Sequence, residues 1–161
     1  MIEFLRTGAF GSVRLGMPRL DVEEVLGSPD DVSTMMNKNR RPAIWKYGDI
    51  ELHFDPDGDD LLSIYTDEFD VPSGGRAIDL DPWILRRGIL WSRVEPQLIA
   101  QHIPYTQRAK TPPYDDGTTR IIVDSGVELV FIDREDHNES NASCIAIEPE
   151  GLYAIGCMRW T

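Results

Sequence analysis

Hydrophobic and polar positions along the chain follow two rhythms, one helical and one of period two. Ile2, Phe4 and Leu5 form an apolar cluster that predicts one helical turn, broken by Gly8 and Gly11. Leu15 to Pro29 then reads as a helix. Val22, Val25 and Leu26 are spaced i, i+3, i+4 on one stripe, Pro18 suits the first helical position, Asp21, Glu23 and Glu24 lie in the early turns, and Gly27 stands at the stop. The rhythm changes after Pro29. Asp31 to Met36 is an expected strand, and Asn37 to Pro42 a polar, basic loop. Residues 43–47 and 49–55 alternate as two strands around a Gly48-Asp49 turn, and Asp57-Gly58 turns the chain into a strand over Leu61 to Thr66. Ile50, Leu52 and Phe54 point one way and Glu51 and His53 the other, because side chains alternate along a strand. The pattern is a meander with one core face and one open face.

Phe69 to Ile78, with Pro72, Ser73, Gly74 and Gly75, reads as a linker, and the same order of elements then recurs. Asp81 to Gly88 echoes Phe4 to Gly8. Ser92-Arg93-Val94-Glu95 is a capping box opening a helix with apolar positions Val94, Leu98, Ile99 and Ile103, Pro96 in its first turn and Pro104 at its end. Strands are expected at 105–110, 118–124, 127–133 and 143–149. A Pro-rich loop falls at 111–117, a Ser125-Gly126 turn joins the second and third of these strands, a charged hairpin loop spans 134–141, and Leu152 to Trp160 closes the sheet. The expected fold is therefore α+β: two tandem modules, residues 1–72 and 73–161, each a short helical layer on a roughly four-stranded antiparallel sheet. Ile50-Glu51-Leu52-His53-Phe54 aligns with Val127-Glu128-Leu129-Val130-Phe131, and Arg19-Leu20-Asp21 with Arg93-Val94-Glu95.

Arg14-Leu15-Gly16-Met17-Pro18-Arg19, with Val22 and Leu26-Gly27-Ser28-Pro29, resembles the helix signature of the SmpA/OmlA lipoprotein domain and of the tandem β-lactamase-inhibitor-protein-like fold. Pro18 stands where those families carry Ser or Thr. The close match covers about fifteen residues and the remainder follows in element order only. The resemblance implies two modules in one chain whose joined concave sheet grips another protein, as in an inhibitor or a bacterial toxin-immunity protein. The lipoprotein branch implies a cell-envelope scaffold with a signal peptide and lipobox cysteine, which the Met1-Ile2-Glu3-Phe4-Leu5-Arg6 start does not resemble.

Composition narrows the function more than the fold. The 161 residues carry 28 acids against 16 bases, a net charge of −12, which disfavours nucleic acid and anionic membrane surfaces and favours a basic protein partner. No apolar run reaches the ~20 residues of a membrane-spanning helix, and the expected location is cytoplasmic. Cys144 and Cys157 read as two thiols of such a protein, or as a pair if their strands are neighbours. His53, His102 and His137 have no metal-ligand spacing, and Asp55 to Asp60 departs from the calcium-loop order and reads as a tight turn. No nucleophile elbow or phosphate loop occurs. The expectation is a non-catalytic binding protein without cofactor or metal, an immunity or inhibitor protein whose acidic open sheet face carries Trp45, Tyr47, Glu51, His53, Tyr65 and Glu128. The alternatives are the envelope scaffold and a small-ligand enzyme.

Overall fold

In the computed structural model, which describes residues 1–33, 42–67, 70–108, 118–133 and 149–158, three helices lie on one side of a single antiparallel sheet. The helices are α1 (Ile2–Thr7), α2 (Arg19–Leu26) and α3 (Trp91–Ala100). The strands are β1 (Asp31–Ser33), β2 (Ile44–Tyr47), β3 (Ile50–Phe54), β4 (Leu61–Thr66), β5 (Tyr105–Gln107), β6 (Thr118–Val123), β7 (Glu128–Asp133) and β8 (Pro149–Met158). They pair in the order β1-β2-β3-β4-β8-β7-β6-β5.

That order corrects the expectation of a roughly four-stranded sheet in each half. β4 and β8, the last described strand of each meander, pair through Ser63–Met158, Ile64–Cys157, Tyr65–Gly156 and Thr66–Ile155 and make one eight-stranded sheet. Pairing these two strands removes what would otherwise be an open edge in the middle of the molecule. Among the described residues the short strands β1 and β5 are the edges. The strand expected at 143–149 lies outside the described residues up to 148, and β8 fills the place beside β7. Cys144 and His137, and most of the two loops expected at 37–42 and 134–141, also lie outside them.

The covered face of the sheet holds one hydrophobic core. Tyr47, Leu52, Phe54 and Ile64 from the first meander and Ile121, Leu129, Phe131 and Ile155 from the second meet Phe4, Leu5, Val22, Val94 and Leu98 of the helices. Among the described residues Arg19 is the one charged side chain buried with it. Only 3% exposed, its guanidinium lies 4.4 Å from the Phe54 ring centre and 5.1 Å from that of Trp45, while Nε donates to Asp59 Oδ1 at 2.7 Å. Nη1 donates to the Pro42 carbonyl. A buried guanidinium is tolerable because aromatic faces and a carboxylate replace much of its hydration.

Several local expectations change for physical reasons. Pro18 is the residue before α2, in extended conformation, and the helix start is held by the β3–β4 turn, where the Arg19 amide donates to the Asp59 carbonyl. The Ser92 capping box does not form. α3 begins at Trp91, and Glu95 accepts a hydrogen bond from the Tyr105 hydroxyl instead. Pro96 is therefore the sixth helical residue, beyond the first turn. α3 ends in a Schellman motif with His102 in the left-handed region (φ 54°): the Ile103 amide donates to the Leu98 carbonyl and that of His102 to Ile99. Residues 81–88 are turns, not a copy of α1.

The glycine-rich segment at 73–76 is not a loose connection. It docks on the β2–β3 turn, where the Asp49 amide donates to the Ser73 carbonyl and the Ser73 amide to the Asp49 carboxylate. A Cβ on Gly48 would lie 2.3 Å from the Gly75 nitrogen, so only glycines permit the approach. Arg76 and Asp30 close the strap at 2.9 Å. α1, in turn, docks on the second half: its Leu5 carbonyl accepts from Ser125 Oγ at 2.6 Å, and Arg6 reaches the Gln101 side chain at 3.0 Å.

Candidate functional site

The face of the sheet away from the helices is built by the alternate residues of the same strands. One row of cross-strand neighbours crosses all eight strands: Asp31, Lys46, Glu51, Tyr65, Gly156, Glu128, Ile122 and Thr106. A second row brings Ile44, His53, Ser63 and Met158 side by side. No described helix packs on these residues; the side chains of Lys46, Glu51 and His53 partly cover one another, and Arg120 partly covers Glu128.

Glu51 is the hub of this surface. Its carboxylate holds Lys46 Nζ at 2.7 Å through one oxygen and His53 Nε2 at 2.8 Å through the other. Burial raises its pKa, but the hydrogen bonds from Lys46 and His53 together outweigh that and hold it below the usual carboxylate range. The His53 ring stands edge-on to Tyr65, centres 6.4 Å apart. On the other half, Glu128 pairs with Arg120 at 3.3 Å.

Tyr65 and Gly156 sit between these two charge clusters, at the seam of the sheet. A Cβ on Gly156 would lie 2.9 Å from a Tyr65 ring carbon and 2.8 Å from the Ile64 carbonyl. The ring therefore leans over the bare glycine, an arrangement that covers an exposed stretch of backbone. The centre of the face is an aromatic, half-buried and flanked on both sides by ion pairs.

Of the expected surface residues, the structure brings Glu51, His53, Tyr65 and Glu128 together on the open face. Trp45 and Tyr47 are corrected: both lie on the covered face, Trp45 against Phe54 and Arg19, and Tyr47 fully buried with its hydroxyl donating to the Gly27 carbonyl at 2.8 Å. Burial, with Glu23 and Asp30 adding to it, pushes the Tyr47 hydroxyl up to about 12, so it stays a donor. A two-residue turn sets Tyr47 opposite Ile50 and Trp45 opposite Leu52, so both share the core face of those partners. The same parity places Lys46 beside Glu51, a pairing the sequence reading did not use. Arg120 and Gly156 were missed as well; their place follows only from the β6–β7 and β4–β8 registers.

The face is also less acidic than expected, because each of its central carboxylates has a cation beside it. The acid excess lies nearer its rim, in the β3–β4 turn with Asp55, Asp57, Asp59 and Asp60. There Asp55 accepts from the Asp57 amide at 2.9 Å, an Asx turn. Among the described residues no group of three or more acids, histidines or cysteines is placed to hold a metal ion. Cys157 is a buried free thiol facing the Gly8 carbonyl, its pKa pushed up to about 11 by burial, although a backbone hydrogen bond with Ile64 works the other way. No described helix is long and apolar enough to cross a membrane.

The chain matches no protein-family model, no curated protein and no solved structure in the comparisons made with each.

Proposed function

We propose that the protein is a non-catalytic binding protein, an immunity or inhibitor protein that holds a basic protein partner on the open face of its eight-stranded sheet. The observation that carries this reading is the row Lys46–Glu51–Tyr65–Gly156–Glu128, which runs unbroken across the β4–β8 seam and is covered by no described helix. A central aromatic bordered by ordered ion pairs suits recognition of a protein surface: the ring supplies buried area, and the fixed charges select what can lie against them. The acidic β3–β4 turn at the rim supplies long-range attraction for a basic partner.

Within this reading the chain is two tandem modules, residues 1–72 and 73–161. Support comes from the mirrored strand order about β4 and β8 and from the helix signature that resembles the tandem inhibitor fold. Doubling a meander makes a binding face about twice as wide as either half could offer, with the seam at its centre.

The test is a photo-reactive side chain placed at Tyr65, with a control at Leu20, which is 68% exposed on α2 in the helical layer. Irradiation in an extract of the native cell should link a basic protein to position 65 and not to position 20. Capture should weaken with added salt and with Glu51→Lys, which sets a lysine against Lys46 and His53. Equal linking at both positions, or none at 65, would refute the reading.

A further inference from the structure

A groove of about 570 Å³ lies in the helical layer, away from the sheet face, between the turns at 81–89 and α3. Leu85 and Ile89, both buried, form its floor, and Trp83 and the half-exposed Val71 form its walls. Arg86 and Arg93 stand at its edge. We propose that this groove is a second binding site, for an acidic peptide segment that inserts one bulky apolar side chain.

Three observations lead there. The first is Trp83, whose backbone sits in the left-handed region at φ 58°. Local folding favours glycine or asparagine at such a position, and a bulky residue there is strained. The turn holds it: Asp81 Oδ1 accepts from the Trp83 amide at 2.8 Å, and the Leu85 amide donates to the Pro82 carbonyl at 3.1 Å. The strained residue presents a half-buried indole, part packed on the core and part lining the groove.

The second is charge. Arg19, Arg76, Arg120 and Lys46 each hold a carboxylate. Arg86 and Arg93 hold none among the described residues, although the chain carries 28 acids to 16 bases. Two unpaired guanidinium groups beside an apolar cleft reverse the local sign of an acidic protein. Guanidinium forks also match carboxylates in geometry, which selects aspartate and glutamate as the ligand's polar groups.

The third is size and shape. The volume falls in the range that holds a small ligand or two to three side chains. With the Val71 wall half exposed, the cleft is open along one side. A small molecule there would leave much of its surface in water, whereas a peptide can bury its anchor and run its acids over the arginine edge. The proposal stands apart from the reading of the sheet face, and either can fail alone.

A displayed library of random twelve-residue peptides, panned against the whole chain and counter-selected on the Arg86→Glu, Arg93→Glu double variant, tests it. Both substitutions are at exposed positions, and an unchanged circular dichroism spectrum will confirm that the variant folds. Enriched peptides should place aspartate or glutamate next to leucine, phenylalanine or tryptophan. The best of them, synthesised with a fluorescent label, should lose about ten-fold or more in affinity on the double variant. Tyr65→Ala should leave its binding unchanged. The proposal is overturned by no enrichment, by enriched peptides without acids, or by binding that the double variant does not weaken. Dimerisation by light scattering that the double variant abolishes would likewise overturn it, assigning the groove to a second copy of the chain.

Discussion

At Glu51, burial and pairing act on the same carboxyl in opposite directions, and the pairing with Lys46 and His53 prevails. A carboxyl whose folded-state pKa lies below its unfolded value adds stability in full above the ordinary carboxylate range, and that stability is lost as pH falls through the depressed value. Asp30, held down first by its hydrogen bond with Arg76 and then by that from the Gly48 amide, has the same sign. The urea midpoint should therefore fall as the pH is lowered below about 4, and Glu51→Gln should make that fall shallower. An unchanged slope in the variant would show that Lys46 and His53 do not hold the carboxylate in solution. Gly156 gives a steric prediction at the same scale. Alanine there drives a Cβ into the Ile64 carbonyl and the Tyr65 ring, so Gly156→Ala should cost roughly 1–3 kcal/mol in chemical denaturation. If Tyr65→Ala is present first, part of that cost should disappear, since one of the two clashes is gone.

Among the elements, the strap at 73–76 shows how a sequence signal can be correct in composition and misleading in consequence. Gly74 and Gly75 read as a linker because glycine marks flexible chain, yet their bare backbones are what let the strap touch Gly48. Gly75→Ala would place a Cβ 2.2 Å from Asp30 Oδ2 at a positive φ of 62°, and should release the strap. Trypsin cleavage after Arg76 in the native state should then speed up by at least several-fold, because local opening controls access to the bond. Equal cleavage rates would mean the strap is not a locked element. The strands themselves were legible from alternation alone, with β2, β3 and β4 within a residue of expectation at each end. The helix starts were less so, because neither α2 nor α3 has a side-chain cap, and α2 is begun by a backbone contact from the β3–β4 turn.

For the molecule as a whole, the described contacts cross the expected boundary at residue 72 at several places, the strap at 73–76 on Asp49 and Asp30 among them. β4 pairs with β8, and α1 docks on the Ser125 turn and Gln101 of the second half. Residues 1–72 and 73–161 made as separate polypeptides should therefore be poorly folded alone, each exposing a seam strand. Mixed together, they should regain structure, seen as a gain of near-ultraviolet circular dichroism from the aromatic core. A fragment that shows a cooperative thermal transition alone would contradict this coupling. The partner-binding face depends on the same assembly, since Glu51 and Glu128 lie on opposite sides of the seam.

Alternation and turn chemistry in the sequence by themselves determined strands β2, β3 and β4, the parity of Glu51 and His53, and the side of the sheet on which Ile50, Leu52 and Phe54 are buried. They also carried enough to place Trp45 and Tyr47 in the core, since a two-residue turn leaves only one register. Only the tertiary structure decided that two meanders make one sheet, that Tyr65 lies over Gly156 at its centre, and that Arg120 stands beside Glu128. The physical reason is range. Side-chain parity and turn type are set by neighbours a few residues away, whereas pairing between β4 and β8 is chosen by competing burial of backbone edges about ninety residues apart, for which a sequence carries no local signal.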